Sequence, residues 1–280
     1  MGPNQQQSEA WNGAESVHYV DHVDRYDRQL APFTDALFDA VTLGSGDSVL
    51  DVGCGTGEAT LRVARHVRRA VGVDISAPLV DVATQRAGAA SLTNTEFLVA
   101  DAQTHAFGDG AFDLVMSQFG LMFFDDPVAA FVNLRRSLAP HGRLAFVTWQ
   151  GLGANEWVMT LGRAVERQVP LPDLGGRSGG PGMFALRDGD EIVALLGEAG
   201  FTGVRVEAVT PTLLVGGGGT LEESVDFLLG MGIARGLLGM VGPDGRVEAV
   251  EAVRATLSER YEPGVGVRLD AAGWLVTAER

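Results

Sequence analysis

From Val49 to Gly57 the chain reads Val-Leu-Asp-Val-Gly-Cys-Gly-Thr-Gly, an apolar strand running directly into a glycine-rich turn, and Glu58 then opens a helical segment. With no Cβ at Gly53, Gly55 and Gly57, the turn can take positive φ and let a ligand approach bare backbone. A strand, such a turn and a helix in that order form the start of a βαβ unit, with a small-molecule site at the carboxyl edge of its sheet.

Glycine-rich turns of this kind serve phosphates, dinucleotides and S-adenosylmethionine (SAM) alike. The spacing here is Gly-x-Gly-x-Gly, and Glu58 stands where a G-x-G-x-x-G fingerprint needs its third glycine. Asp51 and Glu58 bracket the turn with negative charge and no Arg lies between them. That arrangement opposes a pyrophosphate and suits a ligand carrying an ammonium and a sulfonium.

Four further segments follow in order. Val71-Gly72-Val73-Asp74-Ile75-Ser76 reads as a strand ending in an acid about 17 residues past Gly57, near the distance at which an acid reaches a ribose diol. Glu96 to Ala102 reads as a third strand ending at Asp101, and Phe112 to Gln118 as a fourth. Leu138 to Val147 reads as a helix end, a Pro140-His141-Gly142 turn and a fifth strand. Together with the turn, these segments resemble the class I SAM-dependent methyltransferases, and the chain ends resemble the small-molecule group linked to ubiquinone and menaquinone biosynthesis. The resemblance is close over residues 10 to 150 and holds only in outline over 151 to 262.

It implies an α/β fold: a doubly wound, Rossmann-like, seven-stranded, mostly parallel sheet with an amino-terminal helical lid and an inserted helical cap. It also implies SAM as cofactor, with Asp74 on the ribose, Asp101 and Ala102 on the adenine, and the backbone around Gly53 with Ser117 and Gln118 on the methionine portion. Asp51, Cys54, Gly55, Gly57 and Ile75 complete the expected cofactor set. Two other readings stay open: a SAM-binding protein that catalyses a non-methylating rearrangement, and an NAD-dependent oxidoreductase.

Composition narrows the classes. The formal net charge of −15 disfavours nucleic acid and anionic membrane as partners. All 21 Lys+Arg residues are Arg, so a lysine Schiff base and a P-loop lysine are excluded. The Arg-, Ala-, Gly- and Val-rich usage points to a GC-rich bacterial source. A single cysteine, Cys54, allows no intramolecular disulfide and fits a reducing cytoplasm. No signal-like segment or membrane-length apolar run is present, so a cytoplasmic protein acting on a small-molecule methyl acceptor is expected, with a homodimer left open.

Along the chain, residues 1–8 are polar and expected to be a disordered tail, and 9–280 to form one domain. Residues 9–45, with apolar positions at helical spacing, are expected to be the lid over the cleft. Gly151 to Met183 is rich in Gly and Pro and reads as a mobile connector. Asp190 to Glu198 reads as a helix, Val204 to Val209 as a strand and Gly216 to Gly219 as a hinge. Residues 211–262 form the expected cap, with helices over Leu221–Met240 and Arg246–Arg260, before a last strand from Gly273 to Ala278.

Three histidines, His18, His22 and His105, are candidate general bases, and no metal site is expected. Trp11, Phe119, Met122 and Trp149 are candidates for an apolar acceptor pocket, with Phe123 and Trp157 beside them. Cys54 reads as a small apolar group, Asp113 as a strand-start residue and His141 as a surface turn residue.

Overall fold

The computed structural model describes residues 2–170 and 180–280. The chain opens with three helices, α1 (Gln5–Trp11), α2 (Ala14–Asp21) and α3 (Val23–Asp39). Alternating elements follow: β1 (Ser48–Val52), α4 (Glu58–Ala64), β2 (Arg69–Asp74), α5 (Ala77–Ala89), β3 (Thr95–Val99), β4 (Phe112–Gln118), α6 (Pro127–Ser137) and β5 (Leu138–Trp149). Then come α7 (Glu156–Glu166), α8 (Gly189–Glu198), β6 (Thr202–Val209), β7 (Thr212–Leu214), α9 (Leu221–Gly230), α10 (Gly232–Leu238) and α11 (Pro243–Glu259). The chain closes with β8 (Tyr261–Glu262), β9 (Gly266–Asp270) and β10 (Gly273–Glu279).

The main sheet has seven strands in the order β3-β2-β1-β4-β5-β10-β6, and β7, β9 and β8 form a small separate sheet. Strand β1 pairs in parallel with both β2 and β4, so the chain reverses direction across the sheet at the edge where β1 and β4 part. Open α/β sheets bind ligands at that position. Only β10 runs antiparallel to its neighbours β5 and β6 in this sheet. All five residues of β1 are buried, as expected of a central parallel strand covered on both faces.

Several local expectations change. Within residues 1–8, placed in a disordered tail, Gln5 to Ser8 instead begin α1, and Asn4 before it is buried with its side chain bonded to Asp101 and Gln103. The Pro140–Gly142 turn is an irregularity within β5, where the register jumps from Phe112↔Leu138 to Leu114↔Arg143. The Gly151–Met183 connector contains α7, whose apolar side packs into the core; its residues 171–179 lie outside those described. The helix read over Leu221–Met240 breaks at Met231, an extended residue between α9 and α10.

Gly216 to Gly219, read as a hinge, is a seat for α3. All four glycines have positive φ. Their backbone receives Arg28 Nε on the Gly217 carbonyl at 3.2 Å and gives the Gly216 N–H to Gln29 Oε1 at 2.7 Å. A Cβ on Gly217 would stand 2.6 Å from Arg28 Cβ, so the close approach itself requires glycine.

Phe33 on α3 is fully buried and meets Phe119 and Trp149 edge-on at centroid distances of 5.1 and 5.2 Å. It pins α3 to the end of the sheet. Phe33→Ala should cost about 3–5 kcal/mol by urea unfolding, the range for a large aromatic removed from a packed core. A cost below about 1 kcal/mol would show that α3 is not held through this contact.

Candidate functional site

The turn after β1 is built by backbone hydrogen bonds and by one close crossing. Gly53 N and Cys54 N both donate to the Val73 carbonyl, at 2.8 and 3.1 Å, and Gly57 N donates to Cys54 O at 2.9 Å. Gly53, Gly55 and Gly57 have φ of 68°, 53° and 89°. A Cβ on Gly53 would lie 2.6 Å from Gly120 Cα in the turn after β4, which leaves no room for a side chain. Ser117 locks this crossing: its Oγ donates to Val52 O at 2.6 Å and accepts from Gly120 N at 3.2 Å.

Around the turn lies a cleft lined by Asp51, Gly53, Cys54, Gly55, Asp74, Ile75, Asp101, Ala102 and Gln118 on the sheet side. Asp74 accepts from Gly55 N and Ser76 N, both at 2.9 Å, so the carboxylate is aimed by backbone donors on either side. Asp101 accepts from Gln103 N at 2.9 Å and from Asn4 Nδ2 at 2.9 Å. The amino-terminal helix therefore closes over this end, with Ser76 Oγ donating to Trp11 O at 2.6 Å as a second tie. Gln118 is held from the lid, accepting from Thr34 Oγ1 at 2.9 Å.

The other end of the cleft is aromatic. Phe119 stacks on Trp149 with centroids 4.0 Å apart, and Trp157 tilts against Trp149 at 5.5 Å. Phe119 has φ of 60°, a conformation that costs a bulky residue energy and that the crossing at Gly120 imposes. Met122, Phe123, Met183 and Met231 line the same end, as does Trp11. Tyr19 and Tyr26 from the lid add a stacked pair of rings 3.7 Å apart.

Charge in the cleft is of one sign. Asp27, Asp51, Glu58, Asp74 and Asp101 line it, and among the described lining residues there is no Arg or His. Burial pushes the Asp51 carboxyl up to about 7, against a 2.5 Å hydrogen bond from Thr60 Oγ1 that favours its ionised form. Burial also raises Asp74. It pushes Asp27 up to about 6 although Arg86 sits 2.6 Å away. Such a cleft stores unfavourable negative charge that a cationic ligand would relieve. The Cys54 thiol is pushed well up by burial, then by Asp74 and Asp51, which makes it a packing group and no nucleophile.

Two expected cofactor residues fall outside the cleft. Ser117 is fully buried and spent on the loop crossing, and Gly57 caps α4, where a Cβ would meet Ala83 Cβ at 2.9 Å. The three candidate bases do not line it either. His18 and His22 stack on each other with centroids 4.3 Å apart, and His105 packs against Phe107. Asp113 accepts from Ser48 N at 2.8 Å, the strand-start role read from its position. The residues missed are Tyr19 and Tyr26. They stand seven positions apart on the apolar side of the lid, and Tyr26, Leu30 and Thr34 repeat every fourth residue along α3 toward the cleft, a spacing that the sequence already displayed.

Comparison with known proteins agrees with this geometry. A family model described as a methyltransferase domain matches residues 50–146. The demethylmenaquinone methyltransferase of Thermus thermophilus is 35% identical over 173 residues, covering 58% of this chain and 77% of that protein. The aklanonic acid methyltransferase of a Streptomyces species is 34% identical over 107 residues, covering 37% of this chain and 49% of its own length. The chain thus spans about half the length of several of the curated relatives it matches. The YcgJ protein of Bacillus subtilis superposes with a TM-score of 0.59 over 88% of this chain and 97% of that one, at 17% identity, a likeness of fold.

The carboxylates make a pH prediction with a definite sign. Asp51 holds its proton to about pH 7 in the fold, against 3.8 for an ordinary aspartate, so the fold loses stability as pH rises through that window. His18, its ring held neutral down to about pH 4 by burial, acts oppositely over the lower part. The difference between Asp51→Asn and wild type isolates the carboxyl. In thermal unfolding the variant's Tm advantage should be small near pH ~5 and grow by several degrees toward pH ~8; parallel curves would show that Asp51 does not titrate there.

Proposed function

The chain belongs to the class I SAM-dependent methyltransferase family, and from that premise we propose that it binds SAM in this cleft and transfers the methyl to an oxygen, nitrogen or carbon of a small, largely apolar molecule. The observation that carries the proposal is the cleft itself, glycine-floored and lined by carboxylates of which Arg86 pairs only Asp27 and Glu58, with no Arg or His among the described lining residues. Such a lining fits an ammonium and a sulfonium and repels a pyrophosphate.

When bound, SAM supplies a methyl group on a sulfonium, whose displacement leaves a neutral thioether. The protein's task is then alignment and exclusion of water, with a base needed only if the acceptor must lose a proton. Asp74 would accept from the ribose hydroxyls, Asp101 and Ala102 would hold the adenine, and the backbone from Gly53 to Gly55, with Asp51 beneath it, would hold the methionine portion. Trp149, Phe119, Met122 and Trp157 would present a dry wall to the acceptor, and Trp11 would close the lid side. In this reading residues 9–45 are the lid and 211–262 the substrate cap. The same reading places the protein in the cytoplasm, without a nucleic-acid partner, as its acidic charge and single cysteine suggest.

Titration calorimetry tests the binding half. SAM should bind at micromolar affinity or tighter, and Asp74→Ala should lose about 1.5–3 kcal/mol, a fall of roughly 10- to 100-fold. Unchanged affinity would remove Asp74 from the site. Mass spectrometry of acceptors incubated with SAM tests the other half through the gain of one methyl group; turnover without that gain would favour a non-methylating reaction.

A further inference from the structure

Tyr26 and His18 form a buried pair that the cofactor site does not use. Tyr26 Oη lies 2.8 Å from His18 Nδ1. The tyrosine ring is clamped, stacked on Tyr19 at 3.7 Å and tilted against Phe227 at 4.9 Å, while it lines the aromatic end of the cleft. His18 lies behind it, away from the cleft and packed edge-on against the tyrosine ring at 5.6 Å.

The far nitrogen of His18 decides which way this hydrogen bond runs. His18 Nε2 is buried with no hydrogen-bond partner. It is pressed on the backbone at Gly230, where a Cβ would stand 2.4 Å away. A hydrogen on Nε2 would be an orphaned buried donor, whereas a bare lone pair there is the less costly arrangement. Burial, and then the neighbouring charges of His22 and Arg235 with a smaller effect from Arg25, outweigh Asp21 and keep the ring neutral, so it carries one hydrogen only. That hydrogen belongs on Nδ1, and His18 donates to Tyr26. With its oxygen accepting from His18, the tyrosine is left with its own O–H to give elsewhere.

We propose that Tyr26 donates this O–H to an oxygen of the methyl acceptor, and that His18 is the positioning residue that fixes the hydroxyl for that role. The inference rests on the methyl-transfer reading and adds to it the acceptor's chemistry: a flat, uncharged ring system bearing a hydroxyl or carbonyl oxygen. The aromatic walls take the ring, and the carboxylates, with no Arg or His among the described lining residues, turn away a phosphate or carboxylate. No bond to hydrogen breaks in this role. Burial raises the Tyr26 phenol far beyond its ordinary range, so it serves as a donor and never as a base.

Nitrogen NMR of the full chain labelled at histidine, with S-adenosylhomocysteine added, reads the hydrogen directly. The His18 signals, identified by their loss in His18→Asn, should show a protonated Nδ1 and an unprotonated Nε2; the reverse tautomer overturns the proposal. Equilibrium dialysis with 2-naphthol and naphthalene as probes reads the consequence. Wild type should prefer 2-naphthol by roughly tenfold, the size of one hydrogen bond. Tyr26→Phe and His18→Leu should lose that preference, and His18→Asn, whose amide can donate from the same place, should keep it. A preference that survives Tyr26→Phe, or none in wild type, overturns the proposal. Both readouts are independent of the SAM affinity measured by calorimetry, so either reading can fail alone.

Discussion

The crossing of two backbones at the carboxyl edge of the sheet, Gly53 beneath Gly120, is the contact from which the rest of the site follows. Neither residue has room for a Cβ: on Gly53 it would meet Gly120 Cα at 2.6 Å, and on Gly120 it would meet the Val52 carbonyl at 2.6 Å. Ser117 ties the two turns through one hydroxyl. On one side the crossing opens the Gly53–Gly55 backbone toward Asp74, and on the other it forces Phe119 into positive φ and lays its ring on Trp149. One steric constraint therefore shapes both the glycine-lined floor and the aromatic wall.

Electrostatics then distinguishes the two ends. Carboxylates on separate elements, among them Asp51, Asp74 and Asp101, converge on the cleft, and burial raises two of them. Placing like charges together in a buried site costs folding stability. A ligand carrying positive charge would relieve that cost. Arg86 shows the contrast: it neutralises Asp27 and Glu58 at the margin, at 2.6 and 3.0 Å, and leaves the deeper carboxylates alone.

What the sequence could show follows from which features are local. The glycine turn, the acid ending β2 and the acid after β3 are set by strand and loop position, so their place in the cleft was legible, as was the succession of β1 to β5 along the chain. Ser117 and Gln118 were not separable, because adjacent residues at a strand end face opposite sides. Gln118 faces the cleft and Ser117 faces the loop crossing. His18 and His22 lie outside the cleft, whereas Tyr19 on α2 and Tyr26 on α3 line it. Their placement depends on how α2 and α3 pack across the sheet, a long-range matter on which helical spacing is silent as to partner. The amino terminus was misjudged for a related reason. Its polar composition reads as a solvated tail, but Asn4 finds its partners about a hundred residues away, at Asp101, Gln103 and Asp125.

The lid is held at both ends of the cleft by polar contacts of different kinds. At the Asp74–Asp101 end, Asn4 and Asn12 bond to Asp101 and to the backbone at Ile75 and Ala77, groups that the proposed cofactor placement would also engage. At the far end, Arg25, Arg28 and Gln29 dock on the glycine seat at 216–218, whose glycines do not line the cleft. Contacts that compete with a ligand break when it enters; contacts that do not compete persist. The amino-terminal helix thus shares partners with the proposed cofactor, while α3, with Phe33 buried beneath it and Tyr26 lining the cleft, is anchored separately on the glycine seat. A wall anchored in this way is what a positioned tyrosine hydroxyl requires, since under the proposed methyl transfer alignment is the protein's main contribution to a displacement whose leaving group needs no assistance.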